Sequence, residues 1–304
     1  KKDLFRLHAS AIYNITSHLK IKGTAGAELN WFNFNDFKAP TTPGYESGFL
    51  QQSQFKNQMY NFELIATYNN RWGDFDFTGT AGGNIYKVDN RTNITTAQEM
   101  QIRDVVALMS FNETSLQENS YRKQINSLFA AVNLGWKNLL YLDATIRGDK
   151  SSTLPTGNNT YIYPSVSGSF VFSELIKRGD ILPYGKVRLS FAQVGSDTDP
   201  YQLGLVYTKS KYTYPGYTIG FVDNTTIPNK NLKPTRTNSF EVGFETKFLN
   251  NRIGLDFTYY NQISKDQIMG MASSWATGYP YRLINAGEIQ NQGIEIALNT
   301  RPLI

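Results

Sequence analysis

The stretch that decides the fold is Leu19-Lys20-Ile21-Lys22-Gly23-Thr24-Ala25-Gly26-Ala27-Glu28-Leu29-Asn30-Trp31. Its odd positions, Leu19, Ile21, Gly23, Ala25, Ala27, Leu29 and Trp31, carry no charge. Its even positions, Lys20, Lys22, Thr24, Gly26, Glu28 and Asn30, carry every charge in the run. Successive side chains of a strand point to opposite faces, whereas a helix of period 3.6 would mix the two sets. The run reads as a β-strand held between two unlike surroundings.

The same split recurs along the chain. Leu140, Leu142, Ala144 and Ile146 oppose Tyr141, Asp143, Thr145 and Arg147; Phe240, Val242 and Phe244 oppose Glu241, Gly243 and Glu245. Ile253, Leu255, Phe257 and Tyr259 oppose Asp256 and Thr258, and Phe5, Leu7, Ala9, Ala11 and Tyr13 oppose Arg6, His8, Ser10 and Asn14. Less regular strands fit near residues 58–68, 75–87, 124–134, 161–172, 187–194 and 289–299. The spacing predicts about eleven strands in all.

The connections alternate in length. Short ones fall at Thr16–His18, Asn69–Asp74, Gly135–Asn138 and Leu249–Asn251. Long ones fall at Asn35–Gln54, Asp89–Ser120, Lys150–Thr160, Gly195–Thr235 and Met269–Asn285, and Ser173–Tyr184 is intermediate, with room for a helical turn. Short periplasmic turns and long extracellular loops are the habit of outer-membrane barrels. A soluble sandwich also alternates in and out, but nothing obliges its loops to sort by parity. Rings gather where strands meet connections, at Tyr13, Trp31, Phe32, Trp72, Phe75, Trp136, Tyr141, Tyr259 and Tyr260. Trp and Tyr favour the headgroup zone, and ordinary cross-strand packing accounts for some of these rings.

Composition agrees. Of 304 residues only 40 % are hydrophobic, yet 19 are Tyr, 19 Phe and 24 Gly. No stretch is apolar for long enough to make a membrane helix, and a mean hydropathy of -0.40 is blind to strands that need only about 9–11 residues with alternate ones apolar. With no Cys, disulfides, thiolate metal sites and Cys nucleophiles are excluded. The net charge of +5 arises from 30 basic and 25 acidic residues scattered among each other, which does not point to nucleic acid. In lipid every backbone group needs an internal partner, so a spanning sheet must close on itself. Eleven strands do not make the usual even count. Residues 1–304 are therefore expected to be part of one antiparallel transmembrane β-barrel, the ends at Lys1 and Ile304 reading as cuts through a longer array.

The segment Leu140-Tyr141-Leu142-Asp143-Ala144-Thr145-Ile146-Arg147-Gly148-Asp149, with Ser151-Ser152-Thr153-Leu154-Pro155 and Tyr163-Pro164-Ser165-Val166-Ser167, resembles the barrel of SusC/RagA-type TonB-dependent transporters. So do Val187-Arg188-Leu189-Ser190-Phe191-Ala192-Gln193-Val194-Gly195, Asn231-Leu232-Lys233-Pro234, and the run Asn285-Ala286-Gly287-Glu288-Ile289-Gln290-Asn291-Gln292-Gly293-Ile294-Glu295. These matches keep the family's order from about Tyr121 onward. The resemblance implies a 22-stranded barrel in the outer membrane of a Bacteroidota-type bacterium, with this chain its C-terminal part and the N-terminal plug absent. It further implies active uptake of an oligomeric nutrient, glycan or peptide, a SusD-like lipoprotein lid, energy from TonB, and pairing of two transporter–lipoprotein complexes. The residues themselves have a structural reading. Pro234 fixes φ at the end of a long loop, while Gly287 and Gly293 bracket a strand entry, relieving crowding or making a bulge.

No catalytic, metal or cofactor site is expected. The only histidines, His8 and His18, fall on the polar face of the first strand and in a short turn, without further ligands for zinc or an evident acid and serine. Gly79-Thr80-Ala81-Gly82-Gly83 lies in a strand pattern and lacks the Lys-Ser or Lys-Thr of a phosphate loop. Asp197-Thr198-Asp199 could hold calcium, though two carboxylates in a turn are common. The positive candidates are loop rings: Trp275, Tyr279 and Tyr281 in one extracellular loop, Tyr212, Tyr214 and Tyr217 in another. Exposed rings stack on sugars or grip peptides, but they also build a loop's own small core or a lid interface. The rival functions are a passive porin or adhesin barrel, a membrane-embedded hydrolase, and a soluble carbohydrate-binding sandwich.

Overall fold

The computed structural model describes residues 2–176, 181–210, 214–217, 219–222 and 225–301. Strands dominate: β1 (Lys2–Asn14), β2 (Leu19–Lys38), β3 (Phe49–Trp72), β4 (Phe75–Met100), β5 (Phe111–Trp136), β6 (Leu140–Ser151), β7 (Thr160–Phe170), β8 (Tyr184–Ser196), β9 (Tyr207–Lys209), β10 (Gly220–Val222), β11 (Thr226–Ile227), β12 (Thr235–Phe248), β13 (Ile253–Ala272) and β14 (Tyr281–Thr300). A single helical turn, α1 (Ser173–Ile176), sits in the intermediate connection, as expected there. The long strands are β1–β8 and β12–β14, the number that alternation predicts. They hydrogen-bond in the order β1 to β8, then β12, β13 and β14, with β11 last; β9 and β10 form a separate hairpin.

The strands outrun their expected ends. Residues 35–38 and 49–54 belong to β2 and β3, and most of 89–120 belongs to β4 and β5. Likewise β13 continues to Ala272 and β14 begins at Tyr281, leaving a connection of residues 273–280. A membrane needs about 9–11 residues of each strand. Beyond that height both faces are wet, so the apolar–polar contrast vanishes while the backbone ladder continues.

Two compact units divide the chain. The first comprises Lys1–Ala11, Gly23–Glu63 and Asn84–Gln124. Its small core is Leu50, Ala97 and Phe111, with Met100 and Leu108 packed against it. On β1 and β2, Arg6 pairs with Glu28 at 2.8 Å on the polar face.

The second unit comprises Ile12–Lys22, Leu64–Gly83 and Ile125–Ile304. Its registers put one apolar row across the strands: Leu134, Leu142, Gly168, Leu189, Val242, Tyr259 and Ile294 are successive partners. One residue along, the row is Asn133, Asp143, Ser167, Ser190, Glu241, Tyr260 and Gly293. Each residue of the first row therefore faces away from each residue of the second. Among the described residues nothing covers the apolar row: Ile294 is 62 % exposed and Leu189 50 %. An apolar face left bare across seven strands is stable only against hydrocarbon, because in water it would drive association. A ring cluster marks its lower edge, where Phe172 stacks on Phe244 at 6.0 Å and Phe75 on Trp136 at 6.3 Å.

Candidate functional site: the polar face and its rim

The polar face of β5–β8 is a network anchored on carboxylates. Asn133 donates to Asp143 at 2.5 Å, and Ser167 donates to the other oxygen of Asp143 at 3.3 Å. The hydroxyls of Thr145 and Ser165 share a bond of 2.6 Å. Arg147 Nε donates to Asp149 at 3.0 Å and its other nitrogen to Ser127 at 2.8 Å, while Tyr163 donates to Asp149. Arg147 also lies 5.7 Å over the Phe129 ring, and Tyr161 stacks on Tyr163 at 5.8 Å. Asp149 is thus buried but fully partnered, which is what a charge removed from water requires.

Further along the same face Arg188 of β8 reaches across β12 to β13. It donates to Asp256 at 2.7 and 3.2 Å and to Thr258 at 2.6 Å. The path is open because position 243 is glycine; a Cβ there would collide with the guanidinium. On the same face, toward the long loops, Thr237 and Ser264 share a bond of 2.8 Å. A face lined this way offers donors, acceptors and rings to water-borne molecules and holds Arg147 with Asp149 and Arg188 with Asp256 in fixed pairs.

At the loop end the network continues into the connections. Asp197 accepts from Ser151 at 2.5 Å and Thr153 at 3.2 Å, fastening the β6–β7 loop to the start of the long 197–234 segment. One carboxylate of the calcium candidate is thereby engaged by hydroxyl groups. The end of that segment is fastened by Asn285, whose amide bonds both peptide groups of Lys233.

The loop rings stand as follows. Trp275 opens a 3-10 turn, Trp275–Thr277, capped by Ser274 Oγ accepting from the Ala276 N–H at 3.3 Å, and is 79 % exposed. Tyr279 is half-buried. Tyr281 is corrected from loop to strand: it is the first residue of β14, paired with Ala272 and Thr226, because the ladder extends past the lipid. Tyr214 and Tyr217 close a tight turn with ring centroids 6.3 Å apart, 67 % and 72 % exposed. Tyr212 lies outside the described residues. Among the described residues no ring contact joins the Trp275 group to the Tyr214 pair. Sequence reasoning missed Arg147, Tyr161 and Tyr163 as a lumenal cluster; the signal was Arg147 and Asp149 at i, i+2, which share one strand face.

His8 is exposed on β1, and His18 Nδ1 lies 3.0 Å from the Asn69 carbonyl, tying one short turn to the next.

A sheet with one face fit for hydrocarbon and the other for water is the wall of a transmembrane β-barrel. No helix among the described residues is long and apolar enough to cross a membrane, which says nothing about strands. The chain belongs to the TonB dependent receptor-like, beta-barrel family, which it matches over residues 3–302. Members of that family are outer-membrane receptors and transporters, not enzymes. TonB-dependent receptor P3 of Formosa agariphila is 25 % identical over 311 residues, 99 % of this chain and 31 % of that protein. TonB-dependent receptor SusC of Bacteroides thetaiotaomicron is 26 % identical over 191 residues, 60 % of this chain and 19 % of that protein. A solved structure of the RagAB peptide transporter shares the fold with a TM-score of 0.89 at 18 % identity, over 98 % of this chain and 34 % of that one. The chain spans about a third of the length of TonB-dependent receptor P3.

Proposed function

We propose that this chain forms the C-terminal part of the barrel wall of a TonB-driven importer whose cargo is an oligomeric nutrient, a glycan or a peptide. The observation that carries this is the polar row from Asn133 to Gly293 backed by the apolar row from Leu134 to Ile294. Such a wall guides a hydrated oligomer past fixed hydrogen-bonding groups without embedding it in lipid. Likeness to SusC and to the RagAB peptide transporter supports a SusD-like lipoprotein partner, TonB coupling through the rest of the protein, and a paired complex. Trp275, Tyr279, Tyr281, Tyr214 and Tyr217 are the proposed cargo contacts at the rim, with ring faces available for stacking.

The test is uptake of labelled oligosaccharide and oligopeptide pools by cells producing the whole protein. Accumulation should depend on TonB and fall several-fold in a Trp275→Ala, Tyr217→Ala variant that retains its surface level. TonB-independent equilibration of the same pools would identify a passive pore instead.

A further inference from the structure

The outward face changes character at a definite register. On β12–β14 it is apolar from Phe244, Phe257 and Ile296 through Val242, Tyr259 and Ile294. The next row toward the long loops is Phe240, Asn261 and Gln292; after it come Asn238, Ile263 and Gln290, then Arg236, Lys265 and Glu288. Each step of two residues climbs about 7 Å along the strand, so amides and then cations stand directly above the hydrocarbon band. The amides are not loose. Gln290 donates to Asn261 at 3.0 Å and Gln193 donates to Asn238 at 2.7 Å. Lys265 pairs with Glu288 at 3.2 Å, both more than half exposed, whereas Arg236 is exposed and has no ion pair among the described residues.

We infer that this patch binds the phosphorylated sugar headgroup of an outer-leaflet glycolipid. The outer leaflet of an outer membrane is built of acylated, phosphorylated diglucosamine, whose acyl chains would lie on Val242, Tyr259 and Ile294. Its sugar hydroxyls would then stand at the height of the carboxamides, which both donate and accept, and its phosphate at Arg236 and Lys265. Arg236 supplies the fork geometry that binds phosphate oxygens in pairs. Glu288 holds Lys265 beside it and sets the limit on how much anion the patch accepts. Ordinary phospholipid headgroups satisfy the cations but offer the row of carboxamides at most the two hydroxyls of a glycerol, against the several of a diglucosamine. This distinguishes the patch from the general attraction of basic residues to an anionic surface.

The experiment uses the whole transporter, delipidated in detergent and titrated in a native mass spectrometer with three probes. These are bisphosphorylated lipid A, the same glycolipid stripped of phosphate, and phosphatidylglycerol. Bisphosphorylated lipid A should bind at one or two copies and survive gas-phase activation, with the other two probes released first. An Arg236→Ala, Lys265→Ala variant should lose about thirtyfold in affinity for it, and Arg236→Lys, Lys265→Arg should recover most of that loss. Heat-modifiable mobility in the gel checks that each variant keeps its barrel. Equal retention of phosphatidylglycerol, or undiminished lipid A binding by the double Ala variant, overturns the proposal.

Discussion

Asn285 and Lys233, far apart in sequence, pair amide to peptide: Asn285 Oδ1 accepts from the Lys233 N–H and Asn285 Nδ2 donates to the Lys233 carbonyl, each at 2.8 Å. The same Nδ2 donates to the Asp266 carbonyl at 2.9 Å. Asp266 has φ 56° and stands opposite Gly287, with φ 83°, where the β13–β14 ladder is interrupted between Lys265–Glu288 and Gln267–Ala286. The positive φ at 287 is one that glycine adopts without strain. The kink turns Asn285 toward the loop that ends in Lys233-Pro234, so two separate sequence motifs meet as one latch.

Removing that latch should free the loop and spare the wall. Asn285→Ala forfeits, besides its bond to the Asp266 carbonyl, the two hydrogen bonds to Lys233, about 1 kcal/mol each, which accelerates local opening of the loop by about thirtyfold. Hydrogen exchange of peptides covering residues 225–234 would show this, with unchanged barrel melting; unchanged exchange would mean that Leu232, fully buried, holds the loop alone.

Arg188 and Gly243 should be strongly non-additive. Gly243→Ala drives a methyl into the guanidinium's path and should cost about 1–3 kcal/mol as overpacking. Arg188→Ala loses a half-exposed ion pair worth about 1 kcal/mol or less. In the double variant the methyl meets no guanidinium, so urea titrations of the folded barrel should give a loss smaller than the sum. Simple additivity would place the Arg188 side chain elsewhere.

Face assignment can be tested at adjacent residues of β6. Ala144 shares the apolar side and Thr145 the polar side. Arg at 144 should cost roughly 2–4 kcal/mol near the bilayer midplane, and Arg at 145 much less. Folding yield into lipid vesicles should rank wild type and Thr145→Arg together, well above Ala144→Arg. A reversed order would invert the wall.

Acid should loosen the tip of the β2–β3 loop. Glu46 accepts the Gly44 N–H at 3.0 Å, and this bond holds its carboxyl below the usual range. A group with a lowered folded pKa stabilises the turn above its unfolded value, about 4.3, and loses that effect as pH falls through the folded value. Amide exchange or NMR of Gly44 should therefore change below that pH in the native protein and show no such step in Glu46→Gln.

What could be read from the sequence was set by where two solvents meet the chain. Between Leu140 and Arg147 hydrocarbon and water impose opposite demands on alternate residues, and β6 appears as expected. From Asp89 to Ser120 both faces are hydrated; the pattern dissolves, and β4 and β5 looked like loop although their ladder persists. Tyr281 was misplaced for the same reason. The latch at Asn285 and the reach of Arg188 depend on register between strands, which turn lengths and pleat fix in space but no single strand spells out. Asn285, Gly287 and Gly243 were visible as residues without their partners being visible.

The extension of β12–β14 past the hydrocarbon band has a consequence for how such proteins diversify. Loops mounted on a regular hydrogen-bonded scaffold, well clear of the bilayer, can lengthen, shorten or be exchanged without shifting a single lipid-facing side chain. Changes can then be confined to residues 273–280 and 197–234, leaving membrane insertion as an inherited constant.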